Sequence, residues 1–326
     1  MGQQIKGLTS PKIGESKIGD HYHFPGRTMT YSREKPGSLL GFVGMCLFAG
    51  TLPTTRLAVA GFDPLFLTAA RATLAGCAGL IVLLLTRRAP LPRSLRLEMC
   101  AAAFCTVVVF PLFAALAMMT VPAAHGGVVF GIMPLATAAA AAAFAHERPS
   151  SGFWLASAAG TVIVLAFVLR GSGGKAITAG DLFLLGAVAA GAVGYTLSGR
   201  LTARMAGWEV ISWQVVIVLP LAAAATPALW PTDIASVPGA AWAGLGYVSL
   251  VSQYTAFFVF NAAMAMGGIA RISQIMLLQP FMTVAFARAV NGEPIEPETV
   301  LFAVAVVATV LIAQRMRVVR PCGLRP

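Results

Sequence analysis

The feature that most constrains this chain is a succession of long apolar runs. They lie at roughly residues 38–59, 64–85, 98–119, 122–145, 152–169, 182–200, 211–229, 240–265, 268–290 and 298–315. Each is close to the roughly 20 residues that a helix needs to cross a bilayer. Lipid offers no partner to a backbone N–H or C=O, so only helices and closed barrels can span it. A barrel would need alternating segments of about ten residues; these runs are longer and continuously apolar, and no stretch reads as strands. The expectation is an all-α integral membrane protein with ten transmembrane helices. Connections as short as 61–63 and 120–121 force antiparallel neighbours. Only 11% of the 326 residues are charged and 58% are apolar, too little polar surface for a soluble enzyme of this length.

The net charge of +11 does not indicate nucleic acid, because the cations punctuate the apolar runs and form no basic cluster interleaved with aromatics. Their expected partner is membrane lipid, at the headgroups. With the N-terminus in the cytoplasm, 18 Lys and Arg fall on the inner side, and only Arg170 and Lys175 on the outer. Positive residues favour the cytoplasmic face, so both termini are expected to be cytoplasmic. Residues 1–37 are a polar N-tail, expected to be disordered, and 317–326 a basic C-tail. Met29 is an alternative translation start to Met1. The five cysteines show neither CxxC nor metal-ligand spacing and read as small packing residues.

The two halves repeat. A shift of 146 superposes Ala124 on Ala270, Pro134 on Pro280, Thr137 on Thr283 and Glu147 on Glu293; a shift of 144 superposes Gly50 on Gly194 and Arg56 on Arg200. Each half, 38–169 and 180–316, holds five runs. An odd number makes the second copy enter from the opposite side, so the repeat is inverted. Inverted repeats with a site at their interface are an architecture of secondary transporters.

Three stretches, "FDPLFLTAARATLAG", "GIMPLATAAAAAAFAHERPSSGFWLASAAGTVIVL" and "MLLQPFMTVAFARAVNGEPIEPETVLFAVAVVATVLI", resemble the EamA-type repeats of the drug/metabolite transporter superfamily. The features that carry the resemblance are Arg71 in the second run, Pro134 and Pro280, and Glu147 and Glu293. It extends over roughly 38–316 and implies ten helices in an inverted five-plus-five repeat around a central substrate pathway. Relatives move amino acids, nucleobases, sugars or toxic organic compounds. In one respect the second half departs from the pattern: no obvious counterpart of Arg71 stands near 211–216.

Catalytic constellations are absent: there is no GxSxG, HExxH or Walker P-loop, and neither a cofactor nor a metal site is expected. All twelve carboxylates read as lying in tails, loops or the last residues of a run, which points to a uniporter or exchanger with at most weak proton coupling. Arg71 is too deep for easy snorkelling, so it either locks helices through carbonyls or meets an anionic substrate group. His125 and Arg271 begin the fourth helix of their halves, at the outer and inner mouths. Tyr254 and Asn261 share a helix face that Gln253 borders; Gln274 and Gln279 lie in the ninth run, and Tyr195 and Trp213 complete the pathway candidates. Pro53, Pro134 and Pro280 read as hinges. Glu147 and Glu293 read as caps or ion-pair partners at helix ends.

The reading is a secondary transporter, exporter or facilitator, of a small organic metabolite, anionic or zwitterionic such as an amino acid. The expected location is the bacterial plasma (inner) membrane. The rival readings are a membrane-embedded enzyme and a non-transporting membrane regulator; oligomeric state is not legible. A tag at either terminus should be protected in intact cells, and one near Gly173 should be accessible from outside. Accessibility of the C-terminus and Gly173 from the same side would exclude the ten-crossing map.

Overall fold

Helices start where the chain gives their first amides a partner. Asp63 accepts a hydrogen bond from the Leu65 amide at 2.8 Å and Pro64 occupies the first turn, so the helix α3 begins at once after a short loop. The computed structural model of the chain describes residues 34–144, 148–171, 178–202, 204–267, 275, 278–315 and 318–319. In the first half, α1 (Glu34–Ala49) and α2 (Thr51–Val59) are followed by α3 (Pro64–Leu85). Then come α4 (Arg96–Ala103), a π-helical segment Phe104–Val109, α5 (Phe110–Met118), α6 (Ala123–Phe130), α7 (Met133–Phe144) and α8 (Ser151–Gly171). The second half has α9 (Ala179–Thr202), α10 (Gly207–Ala228), α11 (Gly239–Gly246), a π-helical segment Tyr247–Thr255 and α12 (Ala256–Gly267). It ends with α13 (Gln279–Asn291) and α14 (Pro297–Arg315).

Six helical stretches among the described residues are long and apolar enough to cross a bilayer: Gly37–Val59, Pro64–Leu85, Arg93–Met118, Ala179–Thr202, Gly207–Ala228 and Gly239–Phe260. The pair Ala123–Phe130 and Leu135–Phe144, bent by 41°, adds a seventh when taken as one span. Trp154–Val164 and Pro297–Thr309 are shorter apolar helices, and much of the ninth expected run, 268–274, lies outside the described residues. Helix occupies part of each expected run, and the protein is all-α apart from one small correction. Arg148–Pro149 (β1) pairs antiparallel with Val318–Val319 (β2) in a two-residue ladder. Two residues with no periodicity leave no alternation in the sequence from which to read a strand.

The proline expectations resolve unevenly. The break before α2 falls at Gly50, with Pro53 buried in the next turn. Pro280 is buried in the first turn of α13, where a missing N–H costs nothing. Pro134 lies at the start of α7, beside the 41° bend; its side chain is outside the described residues.

The halves interlock rather than sit side by side. α3 packs along α10, α6 on α13 and α8 on α14; α5 packs on α9, and its counterpart α12 packs on α1. Close approach depends on missing side chains. A Cβ on Gly50 would strike the Tyr247 hydroxyl, at the head of the second π segment. A Cβ on Gly194, its repeat mate, would strike Thr106 in the first. Gly127 lets α6 meet Thr283 of α13 in the same way, with a built Cβ only 2.7 Å from Cγ2. Large apolar side chains such as Leu84, Leu85, Leu155, Leu221 and Leu301 point outward, as a lipid-facing surface requires.

Gly50→Leu and Gly194→Leu should each destabilise the detergent-solubilised protein by about 1–3 kcal/mol, the usual cost of overpacking. Gly199→Leu, a site with nothing within 4 Å, should leave the unfolding midpoint unchanged. Equal midpoints for all three variants would contradict this packing.

Candidate functional site

Two polar nodes lie where the π segments meet the other half. A π turn widens the helix and disturbs the regular backbone ladder, a distortion frequent at functional sites. In the first node, Arg71 of α3 is 4% exposed, and its Nη2 reaches Ser252 Oγ of the second π segment at 3.5 Å, long for a hydrogen bond. Ser252 Oγ is already engaged with Thr51 Oγ1 of α2 at 2.7 Å. Arg71 Nε has no hydrogen-bond partner among the described residues. Neither has Nε2 of Gln253, the next residue after Ser252 and only 1% exposed. Tyr195 of α9 interacts electrostatically with the guanidinium, and its ring contacts Phe110 and Phe257 at centroid distances of 6.4 and 5.9 Å.

The second node is the first one's counterpart. Arg71 and Gln214 each stand seven residues after the start of a 22-residue helix, α3 and α10. Gln214 therefore supplies the equivalent that the sequence reading did not find near 211–216. The register between the halves is 143 here and 144 or 146 elsewhere, so one fixed shift misses it. Thr106, which stands 146 residues before Ser252, donates to Gln214 Oε1 at 3.3 Å, and Gln214 Nε2 donates to Ser198 Oγ of α9 at 2.7 Å. Gln214 is 2% exposed with both ends of its amide engaged. Each end of the Gln214 amide has a partner, whereas the Arg71 node holds a cation and two buried nitrogens with no partner among the described residues.

The other candidates separate. Tyr254 is bonded through its hydroxyl to Ser212 of α10 at 2.9 Å, an interhelical tie. Trp213 packs against the apolar cluster around Leu91, Met99 and Val210. Gln279 is half-buried at the start of α13. Glu147, Arg271, Gln274 and the side chain of Asn261 lie outside the described residues. His125 stacks on Phe167 at 4.6 Å, and its Nε2 is 3.0 Å from Oδ1 of Asp181.

Asp181 lies at a helix end, in the first turn of α9, as expected of the carboxylates, yet it is 3% exposed. Its carboxylate accepts from the Thr178 amide at 3.0 Å, while Thr178 Oγ1 accepts from the Asp181 amide at 3.2 Å, a reciprocal capping box. That Thr-x-x-Asp spacing at 178–181 was legible in the sequence; its burial against His125 was not.

Glu293 caps a helix of the other half. Its two oxygens accept from the Ala123 and Ala124 amides, each at 2.9 Å, at the positive end of α6. Arg56 Nε lies 3.4 Å from Glu293 Oε1, and Arg56 Nη1 donates to the Val121 carbonyl. Arg200, the repeat mate of Arg56, bridges the halves elsewhere: it donates to the Phe144 carbonyl at 2.9 Å, and its Nε is 2.8 Å from Glu98 Oε1 without hydrogen-bond alignment. Arg288 is exposed and reaches the Gly292 carbonyl at 3.4 Å.

Comparison with known proteins gives these features a class. Residues 35–169 and 178–314 each match the EamA-like transporter family. A Bacillus subtilis (strain 168) protein described as "Uncharacterized transporter YdeK" is 38% identical over 280 residues, covering 86% of this chain and 97% of that protein. A crystal structure at 20% identity superposes with a TM-score of 0.58, covering 86% of this chain and 98% of the other, and shares the fold. The chain belongs to the EamA-like transporter family: it is an integral membrane transporter of a small-molecule solute built from two EamA repeats.

Glu293→Ala removes the acceptor of two amides and the Arg56 ion pair. We expect a loss of about 2–4 kcal/mol, read as a lower unfolding midpoint, since bonds to a charged group contribute about 1.5–3 kcal/mol each and are not additive. Arg56→Ala should cost less, because its side chain is 36% exposed and screened. Equal losses from both would make the ion pair, not the cap, the dominant contact.

Proposed function

We propose that this transporter is secondary, an exporter or facilitator that moves a small organic solute across the bacterial plasma (inner) membrane. The solute is anionic or zwitterionic, such as an amino acid. The chain crosses ten times, as two inverted five-helix repeats at 38–169 and 180–316, with both termini and the tails 1–37 and 317–326 cytoplasmic and with lipid covering the outward apolar faces.

The polar contacts support this topology. Arg56, Val121, Ala123, Glu293, His125 and Asp181 all belong to ends assigned outside, and they contact one another in two groups. Arg200, Glu98 and Phe144 belong to ends assigned inside and contact one another. Among the described residues no ion pair joins an end assigned inside to one assigned outside. The packing of α5 on α9 and of α12 on α1 is the pairing that a pseudo-twofold axis in the membrane plane generates.

The observation that carries the function is Arg71. A buried guanidinium held only by one long bond to a hydroxyl, with no carboxylate partner among the described residues, is expensive to maintain in a membrane core. Such a charge marks a place where water or a solute supplies the missing partner. Comparison of metabolites in deletion and overexpressing cells would name the solute. In proteoliposomes, Arg71→Ala should lower flux of a carboxylate-bearing solute tenfold or more, the loss expected for one charge-assisted bond. Wild-type flux in a folded Arg71→Ala protein would remove the anion preference; absence of any solute-dependent flux in the wild type would remove the transport reading.

A further inference from the structure

The two nodes are built on the same plan, and the difference between them defines what the site takes. In each, a polar residue seven positions into a 22-residue helix meets a hydroxyl of the π segment in the other half, and a second hydroxyl comes from the first helix pair or helix of a repeat. At Gln214 each end of the amide has a partner on another helix; at Arg71, Nε and the Nε2 of Gln253 are buried donors with nothing to donate to among the described residues. A surplus of donors and one net positive charge call for a ligand that brings acceptors and one negative charge. A carboxylate has two oxygens and about four lone-pair sites, enough to meet both donors.

The surroundings narrow the ligand further. Tyr195, which interacts with the guanidinium, stands in a row of aromatic rings: it meets Phe110 at 6.4 Å and Phe257 at 5.9 Å, and Phe257 meets Phe48 at 4.8 Å, a row suited to the body of an organic acid. The ion-paired carboxylates among the described residues, Glu98, Asp181, Glu293 and Glu298, are held by Arg200, His125, Arg56 and Arg170, and none pairs with Arg71. An ammonium group would therefore enter beside an uncompensated cation.

Building on the transport reading above, we propose that the Arg71 node binds organic monocarboxylates of net charge −1 with an apolar body, in preference to zwitterions. Arg71 Nε and Gln253 Nε2 both donate to the carboxylate, and Ser252, itself tied to Thr51, holds the guanidinium through Nη2.

The test uses full-length protein in a neutral detergent. It is titrated with hexanoate and phenylacetate, each beside its amide and its 2-amino derivative, and the ligand-induced rise in unfolding midpoint gives the apparent affinity. At least one carboxylate should bind tenfold or more tightly than its amide and its 2-amino derivative. Arg71→Gln, which installs the residue found at the counterpart position, should fold and lose that preference. Gln253→Leu, a separate variant on another helix, should weaken carboxylate binding at least threefold. The proposal is overturned if neither carboxylate binds, if an amide or a 2-amino derivative binds as tightly, or if binding persists unchanged in either variant. The same preparations reconstituted in liposomes keep the two readings apart. Flux of another solute without carboxylate binding sinks the proposal and leaves transport standing. Carboxylate binding without any flux supports the site and removes the transport reading.

Discussion

A bilayer offers no hydrogen-bond partner to a polar group, and the contacts of the described buried polar residues follow from that. Thr54, Thr55, Thr68, Thr73 and Ser249 return their hydroxyls to carbonyls in the turn before them, at the expense of nothing but a slight bend. Gln214 is satisfied from two helices. Glu293 and Asp181 settle on exposed amides at helix starts, where the partial positive charge of the helix favours a carboxylate. Against this background of satisfied groups, the free donors of Arg71 and Gln253 stand out as unfinished.

The two repeats explain why the unfinished place is central. Duplication gives each half a π segment, a glycine that lets the opposing helix close on it, and a polar residue in the following helix pair. Symmetry alone would make two equal nodes. Glutamine at one node has a partner at each end of its amide, while arginine at the other is a cation with no carboxylate partner among the described residues.

At the ends of the helices the halves are joined by charge. Arg56 and Glu293 tie α2 to the loop after α13 and to the start of α6, while Arg200 ties α9 to α4 and α7. These contacts cross between repeats at both ends of the bundle.

The membrane class, the helical architecture and the repeat were legible in the sequence because they depend on composition and period, which a chain carries locally. Apolar runs of bilayer length have few other solutions, and a proline with a glutamate thirteen residues later recurring 146 residues on is hard to explain otherwise. Arg71 was legible for the same reason: a cation inside an apolar run is anomalous wherever the helix packs. Tertiary structure decided its surroundings. Ser252 and Gln253 lie 181 and 182 residues away, and only the packing of α3 on the second π segment shows which of their groups are engaged. Gln214 escaped notice because loop lengths move the register between halves to 143. Asp181 escaped because a residue at the end of a run is exposed or buried according to where its neighbours' ends fall. Spacing along one helix carries a pattern; partnership between helices depends on their relative rotation and depth, which only the assembled bundle determines.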